Sequence, residues 1–119
     1  MVLVEQQTRI FSGSVRDNIA SYNDTNAQVL GISVDSLFVL DKFKQEQNLN
    51  FSLLSDFNKD ATKAFEVLYD TFPAFEMQGV SKRAAFVINK EGIIKYTEVC
   101  ASPGDLPDFA AIQSTLQSI

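Results

Sequence analysis

Two hydrophobic periods alternate along this chain and predict an α/β fold, a mixed sheet flanked by helices. Three observations carry that expectation. Apolar, β-rich runs recur at residues 27–34 and 84–88. Apolar residues at helical spacing lie between them, at Leu37, Leu40 and Phe43 and again at Ala61, Ala64, Phe65 and Leu68. The word Asn89-Lys90-Glu91-Gly92 then joins two apolar runs as a hairpin turn. Strands alternating with helices give a layered sandwich, and the hairpin adds an antiparallel pair to it.

Taken in order, Val2-Leu3-Val4 reads as a short strand, and Val15, Ile19 and Tyr22 mark a helix over 14–23. Val29, Leu30, Ile32 and Val34 form a near-continuous apolar run, as expected of an interior strand buried on both faces. Asp35 and Ser36 supply N-cap chemistry for a helix over 36–47, which Asn48 and Asn50 end. Phe51-Ser52-Leu53-Leu54 is the next strand, and the turn residues of 56–60 precede a helix reaching Leu68. Pro73 and Gly79 keep the following stretch irregular. Strand 84–88, the hairpin and a return strand over 93–99 follow, and a helix over 106–119 closes the chain, with Asp105 as its cap and Pro107 in its first turn. About five strands are expected.

Length and composition narrow the function classes. The 119 residues make one domain, and 45% hydrophobic with 21% charged residues is ordinary for a globular protein. A net charge of −5 gives nucleic-acid binding no electrostatic support. No apolar run approaches the ~20 residues of a membrane span, and the first five residues lack the basic start of a secretory signal. One cysteine excludes an internal disulfide and fits a reducing compartment, so the expected location is the cytoplasm. Histidine is absent, which removes Ser-His-Asp and Cys-His catalysis and any histidine-based metal site. The word Gly31-Ile32-Ser33-Val34-Asp35 has no second glycine and no histidine to activate the serine, so it is not a nucleophile elbow. Asp17, Asp35, Asp56 and Asp60 are explained by capping and turns rather than by a metal. Phe72, Phe75 and Met77 sit in the irregular stretch, either as a lid or dimer surface or as a loop packed on itself.

The matching words are Val15-Arg16-Asp17, Asn26 through Ser36, Phe51 through Asp56, Lys82 through Ile88, Glu91-Gly92-Ile93-Ile94 and Pro103 through Pro107. Through these words the chain resembles the peroxiredoxins of the alkyl hydroperoxide reductase and thiol-specific antioxidant group, nearest their bacterioferritin-comigratory-like members. The resemblance covers residues 15–119 and leaves 1–14 as an atypical segment. It implies a thioredoxin-like mixed sheet lacking the family's usual N-terminal part. It also implies thiol-dependent reduction of hydrogen peroxide and organic hydroperoxides, with a peroxide substrate, a thiol reductant, a homodimer and no cofactor or metal.

The family's chemistry needs a cysteine in a P-x-x-x-T-x-x-C segment at a helix start, where the helix N-terminus and a neighbouring arginine favour the thiolate. Counting back from Arg16-Asp17, that position falls near Thr8, and Gln6 through Gly13 do not resemble the segment. Arg83 matches the family's active-site arginine. Cys100, the one thiol, reads first as a partly buried structural cysteine and second as a resolving or sensing thiol. Ser52 stands where the family usually has proline, Asn89 where aspartate is common and Glu66 where glycine is frequent. The expected state is a peroxiredoxin domain inactive as a peroxidase. The alternatives are an interaction or dimerisation module on the same fold, or residual redox activity through Cys100.

Overall fold

The computed structural model describes residues 2–5, 27–73, 75–102 and 104–119, the first four by backbone alone. The helix expected over 14–23 and the position near Thr8 lie outside these residues. Five strands form one sheet: β1 (Val2–Glu5), β2 (Leu30–Ser33), β3 (Ser52–Ser55), β4 (Ala84–Ile88) and β5 (Ile94–Val99). Their order is β3-β2-β1-β4-β5. β1 therefore lies at the centre, parallel to β2 and antiparallel to β4. β2 is interior, as its apolar run requires, though it is shorter than the 27–34 expected.

The strand stops at Ser33 because side chains take over from the ladder. The Ser33 hydroxyl donates to Asp35 Oδ2 at 2.6 Å and accepts from the Asp35 amide at 3.2 Å. Ser36 then caps α1 (Leu37–Gln47) by accepting from the Val39 amide. Asn48, in the left-handed region at φ 50°, ends that helix, its amide and that of Leu49 returning to the Gln45 and Lys44 carbonyls.

The two faces of the sheet carry separate cores. On one face Val29, Phe51, Ala85 and Val87 pack with Leu49 and with Ile112 and Leu116 of α3 (Phe109–Ser118), joined by Phe43 from α1 and by Leu53. On the other, Ala84 and Phe86 meet Val67, with Ile32 and Phe65 alongside. Gly31 belongs to the first face. It pairs with Leu53, and a Cβ built on it would stand 2.6 Å from Leu53 Cδ2, so the leucine fills the space a side chain would need.

Two helix expectations need correction. The helix reaching Leu68 is instead the five-residue α2 (Asp60–Ala64), capped at Phe65 and reversed at Glu66, whose φ is 58°. The reversal lets Val67 bury completely and turns the chain back on itself. Leu68 bridges Ser81, the Tyr69 amide donates to the Val80 carbonyl, and the Lys82 amide donates to the Val67 carbonyl. Burial of Val67 and this pairing outweigh the helical spacing of Ala61, Ala64, Phe65 and Leu68. The last helix begins at Phe109 with Asp108 as its cap, accepting from the Ala111 amide at 3.0 Å, rather than at Leu106 with Asp105. Asp105 is engaged elsewhere, its carboxylate accepting from the Ser102 amide. The hairpin forms as expected: Asn89 Oδ1 accepts from the amides of Glu91 and Ile93, and Gly92 supplies φ 80°.

Glu66 is exposed yet holds a backbone conformation that costs an L-residue about 1–2 kcal/mol, part of which a glycine returns through its freer unfolded chain. Glu66→Gly should therefore stabilise the fold by about 0.5–1 kcal/mol. The check is a urea titration, read as a raised midpoint at unchanged slope. A midpoint that stays or falls would show that the turn is not strained.

Candidate functional site

Arg83 precedes β4 by one residue. Because Val4 pairs with Ala84, the register continued by one step brings Arg83 opposite Glu5, where the central strand ends. The residue is only 4% exposed, and its Nη1 donates to the main-chain carbonyl of Asp105 at 2.8 Å. Its own carbonyl accepts from the Cys100 amide at 2.9 Å, which extends the β4–β5 ladder by one step. Cys100 is 6% exposed and lies just past β5.

The two site residues expected from the sequence are thus neighbours across a strand pair, a relation the sequence reading did not anticipate. The reason lies in the hairpin. Ile88 pairs with Ile94, but Val87 pairs with Tyr96, so one residue of β5 is skipped between them. That irregularity moves every later partner by one and brings Cys100, instead of Val99, level with Arg83. An apolar pattern does not announce such a bulge.

Tyr69 completes the cluster. Its ring meets Phe72 edge-on at 5.4 Å between centroids, and Lys82 Nζ lies 5.7 Å from its centroid. Burial raises its phenol pKa above the ordinary value. The charges of Cys100 and Asp105 add to the rise, and Arg83 opposes it. The groups are therefore close enough to bear on one another electrically. A buried guanidinium at the end of a sheet can stabilise an anion or a thiolate, since its charge is little screened there.

Next to it, Tyr96 donates to Glu98 Oε1 at 2.7 Å, and the Asp108 amide donates to the same oxygen at 2.9 Å. Burial first, then the Glu98 bond and the charges of Glu98, Asp108 and Cys100, push the Tyr96 phenol up to about 12. That network ties the end of β5 to the start of α3.

The acidic residues at the ends of β2 and β3 have structural work. Asp35 takes the Ser33 hydroxyl on its carboxylate and the Ser55 hydroxyl on its carbonyl. Asp56, 8% exposed, accepts from the Ala61 amide at 3.0 Å, the Thr62 amide at 2.7 Å and the Thr62 hydroxyl at 2.5 Å. Burial pushes its carboxyl up. The bonds from Thr62, Ala61 and the Asp60 amide outweigh burial and hold the group below its ordinary 3.8. Among the described residues no group of three or more Asp, Glu or Cys is placed to hold a metal ion. In the irregular loop, Phe72 is buried with its amide on the Met77 carbonyl, whereas Phe75 projects at 90% exposure. The loop packs on itself at one aromatic and presents the other.

Comparisons with known proteins find peroxiredoxins. A family model described as AhpC/TSA matches residues 10–97. The chloroplastic 2-Cys peroxiredoxin of Spinacia oleracea is 33% identical over 90 residues, covering 70% of this chain and 32% of that protein. The mitochondrial thioredoxin-dependent peroxide reductase of Drosophila melanogaster is 31% identical over 110 residues, covering 87% of this chain and 43% of the relative. The chain thus spans about a third to two fifths of the curated relatives it matches. Among solved structures, the mitochondrial 2-Cys peroxiredoxin from Plasmodium falciparum superposes with a TM-score of 0.76 at 27% identity, over 98% of this chain and 72% of the other. The architecture is thioredoxin-like, as the resemblance implied. The expectation of a cytoplasmic protein is overturned, because these relatives are chloroplastic and mitochondrial proteins.

The Asp56 interactions set an acid limit. A carboxyl depressed in the folded state contributes stability above its unfolded pKa, and that contribution is lost as pH falls through the folded value. Wild-type stability should decline below about pH 4, close to the ordinary 3.8 of this group. Asp56→Asn should flatten that part of the profile and cost roughly 1–3 kcal/mol at neutral pH. Urea midpoints taken between pH 7 and pH 3 test both, and equal slopes for the two proteins would refute the assignment.

Proposed function

The chain belongs to the AhpC/TSA family, and from that premise we propose that it is a peroxiredoxin-fold domain that keeps the family's arginine at Arg83 and turns over no peroxide by itself. In the family's reaction a cysteine thiolate attacks the peroxide O–O bond. The sulfur becomes a sulfenic acid, water or an alcohol leaves, and a thiol reductant restores the thiol. The observation that carries the proposal is the placement of the one thiol. Cys100 is buried past the end of β5, and its main chain, which bonds Arg83, fixes it in the sheet ladder. A thiol held this way reaches peroxide poorly. Arg83, by contrast, is buried at the end of the central strand, where a guanidinium suits a thiolate and its peroxide.

Peroxides and a thioredoxin-type reductant are the partners that family membership alone implies, in line with the thioredoxin-dependent relative. An organelle is the setting it implies, in line with the chloroplastic and mitochondrial relatives. One domain over 1–119, with 1–14 atypical, is part of the same proposal. The chain supplied with hydrogen peroxide and thioredoxin or dithiothreitol should consume peroxide no faster than buffer, with Cys100→Ser indistinguishable from wild type. Turnover that disappears in Cys100→Ser would replace this reading with the residual-thiol one.

A second reading, pairing of two copies, rests on the 90% exposure of Phe75, which is held in a left-handed backbone at φ 61°. If that aromatic seats on another copy, wild type should sediment as a dimer and Phe75→Ser as a monomer. A monomer in both cases refutes it.

A further inference from the structure

We infer that Asp105 is a positioning residue for the Arg83 guanidinium; the inference rests on the reading of Arg83 just given. Guanidinium recognition depends on the plane in which its donors lie. In this fold a main-chain carbonyl holds one of those donors. Nη1 of Arg83 donates to the carbonyl oxygen of Asp105 at 2.8 Å. The direction of that carbonyl is fixed in turn by the side chain of the same residue. Asp105 Oδ2 accepts from the Ser102 amide at 3.0 Å, while the Asp105 amide donates back to the Ser102 carbonyl at 3.1 Å. The two bonds close the turn from both ends.

The turn is anchored on either side by further bonds. Before it, the Cys100 amide donates to the carbonyl of Arg83 itself. After it, the Asp108 amide donates to Glu98 Oε1, which also holds Tyr96. The segment that starts on the backbone of Arg83 therefore returns to its side chain, and the Asp105 carboxylate sets the angle of return. The guanidinium is oriented by the fold before any anion arrives, which lowers the cost of ordering it on binding. The same arrangement explains why the sequence expectation of Asp105 as a helix cap fails. The cap passes to Asp108, leaving the Asp105 carboxylate for the turn.

The test reads the arginine directly. The sequence holds three arginines, Arg9, Arg16 and Arg83, so the Nη1–H signal of Arg83 in a ¹⁵N-labelled full chain is assigned by its loss in Arg83→Lys. Wild type should show slow exchange of this proton with water. Asp105→Ala should speed the exchange about fivefold to tenfold, the factor one net hydrogen bond supports, with the methyl signals of Ile112 and Leu116 unchanged. Asp105→Asn keeps an oxygen acceptor for the Ser102 amide and should restore slow exchange. Should Asp105→Ala not fold, Asp105→Glu is read in its place, since its longer side chain does not fit the same turn. Wild-type exchange in the Ala or Glu variant, or failure of Asn to rescue, would overturn the inference. No peroxide enters the measurement, so a chain that does turn over peroxide would leave the result standing.

Discussion

Hydrogen bonding through four residues, Val2–Glu5, joins two halves of a sheet that are otherwise separate. On one side they pair in parallel with Leu30–Ser33, and on the other they pair antiparallel with β4. Without that strand, β3-β2 and β4-β5 would be two ribbons with no shared ladder. The two cores depend on it as well. Each lies against a sheet face whose continuity runs through β1, so α1 and α3 share one face only because the strands beneath them are one surface. The location of Arg83 follows from the same pairing, since the antiparallel register with β4 is what brings it to the end of β1.

Much of this was legible in the residues. Where local chemistry and burial agree, the reading and the structure coincide. β4 with its hairpin is one case, because Ala84, Ala85, Phe86 and Val87 are all buried and Asn89 and Gly92 suit the turn. The helix after Ser36 is another, since its cap and its left-handed Asn48 stop are both written in the sequence. Of the departures from the family pattern, Asn89 is neutral for a visible reason: its amide oxygen accepts two main-chain bonds, as a carboxylate oxygen would. Ser52 stands at the exposed first position of an edge strand, a place that proline also tolerates.

The misread positions share a cause. A helical spacing through Leu68 was present, but the decisive terms were distant: burial of Val67 and pairing with residues 80–82. Asp105 and Asp108 are equally good caps by composition, and only the bond to the Ser102 amide separates them. The meeting of Arg83 with Cys100 depends on one skipped residue in β5, which leaves no trace in composition or period. Residue types announce which chemistry is available, whereas register decides which of them meet.

The central position of β1 also bears on how the chain comes together in time. Leu3 pairs with Gly31 on one side and with Ala85 on the other, so β1 is fully paired only after both of these later strands have joined it. During synthesis β2 and β3 can form their parallel ladder early, but the free edge of β1 waits for β4 to leave the ribosome. Contacts this far apart in sequence slow folding, because loop closure must precede the bonds that reward it. Through that interval the middle of the sheet is an open edge, a template for any other extended segment nearby. A central strand that precedes both of its neighbours in sequence makes the nascent chain dependent on protection until β4 has emerged.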